Sequence, residues 1–163
     1  MRLLFSLLLA FFLVPALAGC DSGSDDDDSN GGGSGGGAST ITATVAGNAL
    51  TFDTASSTND GSVFQVTGIR DNNTTQLTVR VNTPETGTFS IAPSDARVGI
   101  IYREGTTPYQ ADGVTALSGA SGTVTISEIS DGGARGTFTG TLVNVTNPQQ
   151  TISVTNGSFD VSF

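Results

Sequence analysis

The sequence predicts an all-β domain, an antiparallel β-sandwich or small closed β-barrel of about nine strands, behind a signal peptide and a disordered tether. From position 41 onward, Thr, Val, Ile and Phe recur at every second residue, and Gly, Asn and Asp separate the runs. No window keeps the 3.6-residue period of a helix. One-sided alternation is typical of antiparallel sheets with one solvated face, but it does not separate a sandwich from a barrel.

The first 19 residues have the pattern of an export signal. Arg2 supplies a positive charge, an apolar run extends from Leu3 to Val14, and small residues follow Pro15. The run is shorter than the roughly 20 apolar residues that a membrane-spanning helix needs. We therefore predict a signal peptide over residues 1–19 rather than an anchoring helix.

The end of this signal contains the only cysteine of the chain, Cys20. Leu17-Ala18-Gly19-Cys20 resembles the lipobox of bacterial lipoproteins at all four positions. The resemblance implies cleavage before Cys20, diacylation of its thiol by chains such as palmitate, and acylation of the new amino terminus. Two or three acyl chains hold a protein stably on a membrane. Cys20 is therefore the predicted lipid anchor, and an ordinary secreted protein with one free thiol is the alternative.

Residues 20–38 form a predicted linker between this anchor and the domain. From Asp21 to Ala38 the chain is almost entirely Asp, Ser, Gly and Asn, so it has nothing large to bury and is predicted to be disordered. A flexible coil of this length spans roughly 25 Å.

Four consecutive carboxylates in this linker, Asp25, Asp26, Asp27 and Asp28, have two interpretations. They form a self-repelling run that extends the linker. They also resemble the acidic export signal of Bacteroidetes-type lipoproteins, which implies transfer to the outer face of the outer membrane. Asp21 instead resembles the inner-membrane retention signal of enteric bacteria. The expected location is the cell surface, with the periplasmic face of the outer membrane and the inner membrane as alternatives.

Each run of the domain, residues 39–163, assigns one set of side chains to the core. "ITATV" alternates from Ile41, "AGNA" turns the chain, and Ile101 interrupts the alternation of "RVGIIYR". The residues predicted to face the core are Ile41, Ala43, Val45, Leu50, Phe52, Phe64, Val66, Leu77, Val79, Val81, Phe89, Ile91, Val98, Ile100, Tyr102, Val124, Ile126, Phe138, Gly140 and Leu142.

The closing segment changes phase. Ile152 and Val154 are even positions, whereas the apolar residues after Gly157 are odd. Such a shift reverses the two faces unless a residue bulges out, and Asn156-Gly157 is the expected bulge because Gly tolerates a positive φ. Asp160 should be exposed, and a side chain at position 157 should point to solvent. The residues expected in the core from this segment are Phe159, Val161 and Phe163.

Three stretches carry a family resemblance. The segment from Gly122 to Phe163 contains "GTVTI", "GTF" and the closing "NGSFDV", the opening stretch is "ATVAGNALTF", and "TGTFSI" has Phe89 where the family pattern has Tyr. These stretches resemble a group of small Bacteroidetes lipoproteins of unknown function. The resemblance covers most of residues 41–163 and implies location and fold, without an activity.

Composition excludes several functions. The domain has five Arg, no Lys and no His against ten Asp and Glu, a net charge of −5. Binding to nucleic acid or to anionic headgroups needs a basic face, so neither is expected. Without His or Lys, and with Cys20 acylated, the usual bases and nucleophiles are missing. A pair of carboxylates acting as a glycosidase remains the enzymatic alternative. No cofactor is expected, and "DNN" at 71–73 is interpreted as a turn rather than a metal site.

Two local patterns concern ligands and modification. Asp53-Thr54-Ala55 resembles the Asp-Thr-hydrophobe site at which Bacteroidetes O-glycosylate exported proteins, and a strand end with a Thr hydroxyl is the alternative. A binding module for a glycan, peptide or partner protein predicts a cleft with Tyr102, Tyr109 or an Arg at its rim. A structural envelope component without ligand is the alternative, and the sequence does not separate the two.

Overall fold

A computed structural model describes residues 39–92, 94–115 and 117–163, and the regular structure in these ranges is entirely β. The described strands are β1 (Thr40–Val45), β2 (Asn48–Thr51), β3 (Thr54–Asn59), β4 (Val63–Arg70), β5 (Thr75–Asn82), β6 (Gly87–Ile91), β7 (Val98–Glu104), β8 (Thr107–Asp112), β9 (Ser121–Ser130), β10 (Gly133–Asn144) and β11 (Thr151–Ser162). All of them belong to one compact unit.

The strands form an antiparallel sheet that curls into a half-barrel. Nine strands follow one another in the order β2-β1-β11-β10-β8-β7-β5-β4-β3. Strand β10 is long enough to pair twice on one side. Its residues 133–141 pair with β9, which carries β6, and Val143 and Asn144 pair with β8. The predicted antiparallel all-β fold is confirmed, with β3 and β8 as strands that the alternation missed.

Alternation decides which side chains fill the concave face. On β5, for example, Leu77, Val79 and Val81 are fully buried while Arg80 between them is exposed. The predicted core set is buried except for Leu50 and Gly140, which are half-buried. The polar partners of this set cover the convex face, which is the pattern expected of a sheet with one wet side.

The predicted bulge lies where the phase of β11 changes. The register of β10 against β11 shifts between Phe138 and Gly140, and Asn156 has a φ of 50°. The expected role of Gly157 was wrong, because Asn156 supplies the positive φ instead. Gly157 is buried, and a Cβ built on it would lie 2.5 Å from the ring of Phe138. A side chain at position 157 would therefore enter the core rather than solvent.

The chain end departs from the prediction in one residue. Phe159 and Val161 are buried as expected, but Phe163 is 41% exposed. It follows the last residue of β11, and its ring lies edge-on to that of Phe64 with centroids 6.1 Å apart. Asp160 is exposed and accepts a hydrogen bond from Nε of Arg135 at 3.0 Å.

Strand direction places the amino terminus of the domain at one end of the sheet. Thr40 pairs with Asp160, and the backbone N–H of Phe163 donates to the carbonyl of Gly132, so these residues lie together. From there β1 runs for six residues to its turn at Ala46, a distance of about 20 Å. The turns after β1, β4 and β7 lie at this far end.

Several predictions concern residues outside the described ranges. The signal peptide 1–19, the linker 20–38, Cys20 and the acidic run Asp25–Asp28 all lie there. Within the described ranges, no helix has the length and apolar character needed to cross a membrane. Thr54 is the first residue of β3.

Replacing Gly157 with Ala tests the packing at the bulge. The added Cβ would meet the ring and the carbonyl of Phe138, so we expect a loss of about 1–3 kcal/mol in the free energy of unfolding. Gly132→Ala is the matched control, because its Cβ would meet only Oγ of Ser130 at 3.9 Å, and should change stability by less than about 0.5 kcal/mol. Urea unfolding of the full chain measures both values, and equal effects would show that Gly157 is not under this constraint.

Candidate functional site

A pocket opens at the end of the sheet opposite residue 39. It encloses about 250 Å³ between strands β1, β2 and β11 on one side and β7 and β8 on the other. Its lining residues are Val45, Ala46, Asn48, Leu50, Tyr102, Glu104, Tyr109 and Ile152. We call this space the tyrosine pocket.

The β7–β8 hairpin brings the two tyrosines of the chain together. Tyr102 and Tyr109 are direct cross-strand partners, so their side chains leave the sheet on the same face. The ring centroids are 6.5 Å apart and the planes are inclined by 41°. Gly105 turns the hairpin with a φ of 58°, and its N–H donates to the carbonyl of Thr74 at 2.7 Å. The tyrosine pair is thereby fixed against the neighbouring turn.

The opposite wall is aliphatic. Val45 ends β1 and is buried, while Leu50 and Ile152 are half-buried. Asn48 is exposed at the mouth and is the cross-strand partner of Val45, so its amide faces the same side. The pocket therefore joins an apolar wall, two aromatic rings and a few polar groups at its opening, which is the usual composition of a ligand site.

The hydroxyl of Tyr102 has a raised pKa. Only 4% of the residue is exposed, and its hydroxyl donates a long hydrogen bond of 3.5 Å to Oε2 of Glu104. Burial first, and then the negative charge of Glu104, raise the pKa of Tyr102 from its ordinary 10.0 to about 12. The guanidinium of Arg70 acts in the opposite direction, and Asp71 raises the pKa further. The phenol therefore remains a neutral hydrogen-bond donor at any physiological pH.

Arg70 lies at the end of β4, beside this site. Its Nε forms an ion pair with Oδ2 of Asp71 at 3.3 Å, and the same carboxylate oxygen accepts a hydrogen bond from the hydroxyl of Thr75 at 3.3 Å. Three described arginines, Arg70, Arg97 and Arg135, form ion pairs with other carboxylates, and no ion pair within the described ranges includes Glu104. Glu104 keeps its charge free of an arginine partner at the mouth of the pocket.

Two further concavities lie on the convex face. One, of about 320 Å³, crosses β4, β5, β7 and β8 above Gly99, and includes the exposed side chains of Ile101 and Val114. The other, of about 480 Å³, is shallow and lined mainly by Ser, Thr and Gly of β9, β10 and β11. Of these three spaces, only the tyrosine pocket combines aromatic rings with a group of perturbed pKa, so we take it as the candidate site.

Three of the described aspartates, Asp60, Asp95 and Asp112, cap turns of the backbone. Oδ1 of Asp60 accepts hydrogen bonds from the N–H groups of Val63 and Ser62, which lower the pKa of Asp60. Oδ1 of Asp95 accepts a hydrogen bond from the N–H of Arg97, and Oδ1 of Asp112 accepts one from the N–H of Thr115. Within the described ranges, no three His, Cys, Asp or Glu side chains lie close enough to hold a metal ion.

The sequence pointed to part of this pocket. The structure unites Tyr102 and Tyr109, and Glu104 shares their face because it lies two residues after Tyr102. Thr54 is the first residue of β3. The aliphatic wall had no local signal, since it comes from strands far away along the chain.

Comparisons with family models, with curated proteins and with solved structures found no match.

A titration of the Tyr109→Phe variant tests the environment of Tyr102. The substitution leaves Tyr102 as the only tyrosine of the chain, so phenolate absorbance reports it alone. We expect a midpoint at about pH 12. The folded protein then holds this proton more tightly than the unfolded chain does. Its contribution to stability is thus fully present below pH 10 and is lost as the pH rises from 10 to about 12. A midpoint near 10 in protein that circular dichroism shows to be folded would contradict this environment.

Proposed function

We propose that this chain is a lipid-anchored binding module of the outer-membrane surface, and that its ligand enters the tyrosine pocket. The observation that carries the proposal is the position of the pocket. A partly apolar pocket with both tyrosines of the chain lies at the end of the sheet opposite the residue through which the linker is attached.

The anchor side of the proposal rests on the sequence. Leu17-Ala18-Gly19-Cys20 supports lipidation of Cys20, and Asp25–Asp28 supports transfer to the cell surface. Strand β1 leads away from this attachment over about 20 Å before the chain reaches the mouth of the pocket. The mouth of the pocket is therefore at the end of the domain away from the linker attachment.

The binding side rests on the chemistry of the walls. Aromatic rings and aliphatic side chains supply contact area, and Asn48, Glu104 and the neutral phenol of Tyr102 supply directional hydrogen bonds. The net charge of −5 opposes nucleic acids and other polyanions. Glycans, peptides and partner proteins are the ligand classes that these walls suit.

Cys20→Ser tests the anchor. The variant should lose incorporation of a fatty-acid probe during growth, because the lipobox pathway that the motif resembles attaches its lipid to the cysteine sulfur. Replacing Asp25–Asp28 by Ala should keep the lipid and the fold, since the run adds no packing. Protease added to intact cells should no longer digest this variant, because it no longer reaches the cell surface. Labelling of the Ser variant, or equal digestion of the Ala variant, would overturn the respective part of the proposal.

Asn48→Arg tests the pocket by placing a long charged side chain across its mouth. Ala49→Arg is the matched control, because it adds the same charge to the same edge strand on the opposite face of the sheet. On glycan and peptide arrays we expect the wild type and Ala49→Arg to bind the same ligand, and Asn48→Arg to lose at least about 90% of the signal. Equal loss or equal retention in both variants would contradict the pocket as the site. Failure of the wild type to bind any ligand would favour the structural envelope component.

A further inference from the structure

The charge of the tyrosine pocket is negative. Among the described residues that line it, Glu104 is the only charged one, and the nearby Arg70 is already paired with Asp71. The other two glutamates of the chain, Glu85 and Glu128, each form an ion pair with an arginine, at 3.1 and 3.6 Å. Glu104 therefore differs from them in lacking a cationic partner within the described part of the protein.

The tyrosine rings add attraction for a positively charged ligand. A cation within roughly 6 Å of a ring centroid is attracted by the electrons of the ring face. With centroids 6.5 Å apart, a group that lies over the pocket side of the Tyr102–Tyr109 pair can be within that range of both rings. A neutral phenol at position 102 can also accept a hydrogen bond from an N–H donor.

The volume of the pocket and its aliphatic wall limit which ligand group can carry the positive charge. About 250 Å³ is below the roughly 300–1,000 Å³ of pockets for whole drug-sized ligands, so the space suits one side chain or one small group. Val45, Leu50 and Ile152 offer a wall on which methylene groups can pack. A carboxylate at the mouth and an aliphatic wall together match an unbranched alkyl stem that ends in a charged head.

We propose that the tyrosine pocket binds a primary ammonium group on an aliphatic stem, with Glu104 as its counter-charge and Tyr102 and Tyr109 as its aromatic walls. This inference rests on the proposed function, because it names the ligand of the same pocket. The chemistry occurs in the lysine side chain of a peptide and in free alkyl diamines. A neutral sugar would gain nothing from the charge of Glu104, and an anion would be repelled by it.

The fluorescence of the chain provides a direct measurement. Both tyrosines of the chain lie in the pocket, and the sequence has no tryptophan, so intrinsic emission reports the site itself. We would titrate the full chain, in an uncharged detergent, with n-butylammonium chloride, with n-butanol as its neutral analogue, and with methyl glucoside. We expect a saturable change with butylammonium only, and its affinity should fall as sodium chloride is added.

Substitutions assign the effect to the pocket. Glu104→Gln should weaken butylammonium binding at least about tenfold while keeping the shape of the side chain. Glu128→Gln is the matched control and should leave the affinity unchanged, because Glu128 pairs with Arg135 on the convex face. Tyr109→Phe should retain binding, whereas Tyr109→Leu should lose most of it, since only Phe preserves the ring face. Thermal melts confirm that each variant is folded.

The outcomes separate this inference from the proposed function. A glycyl-lysyl-glycine peptide that binds more tightly than 1,4-diaminobutane would assign the ammonium to a peptide, and the reverse order would assign it to a free diamine. Binding of methyl glucoside or butanol with the same affinity in Glu104→Gln would overturn the ammonium inference and leave the pocket as a binding site. If no probe changes the fluorescence, the ammonium inference fails, and the array comparison of Asn48→Arg with Ala49→Arg then decides the proposed function by itself.

Discussion

The curl of the sheet depends on aromatic rings that lie over glycines of the neighbouring strand. Phe138 packs on Gly157 and Phe159 packs on Gly136, and each pair consists of direct cross-strand partners on β10 and β11. A Cβ on either glycine would collide with the facing ring, so each ring occupies space that a side chain on its partner would need. The space gained lets Phe159 reach Phe64 of β4 across the interior, with centroids 5.3 Å apart. This contact holds the two arms of the half-barrel together.

The tyrosine pocket is a consequence of that curl. In a flat sheet, β1 and β2 would lie several strands away from β7 and β8, and Val45 could not face Tyr102. The bulge at Asn156-Gly157 contributes directly, since it keeps both the Ile152 end and the Phe159 end of β11 pointing inward. One wall of the pocket therefore owes its position to packing at the other end of the same strand.

Alternation in the sequence predicted most of this fold, because a sheet with one buried face has apolar residues at every second position of its strands. It failed at β3 and β8, whose segments "TASSTN" and "TPYQAD" contain few apolar side chains. These strands form because their neighbours offer ladders: Ser57 pairs with Val66, and Ala111 with Ile100. For the site, the face shared by Tyr102 and Glu104 was readable from their spacing. The aliphatic wall was not, because the pairing of β11 with β1 joins the two ends of the domain and leaves no local trace.

The composition of the chain fits the ligand proposed for the pocket. Under the proposed lipid anchoring, copies would share one surface and meet at high local concentration, so a pocket that matched an exposed side chain of the same protein would fill with its neighbours. The domain has five arginines but no lysine; Arg70, Arg97 and Arg135 are held in ion pairs, whereas Arg80 and Arg103 are exposed and form none within the described part of the chain. Arginine also ends in a broad planar head that differs from a compact ammonium. A site selective for a primary ammonium would thus stay open among its own copies and remain available to a ligand from outside.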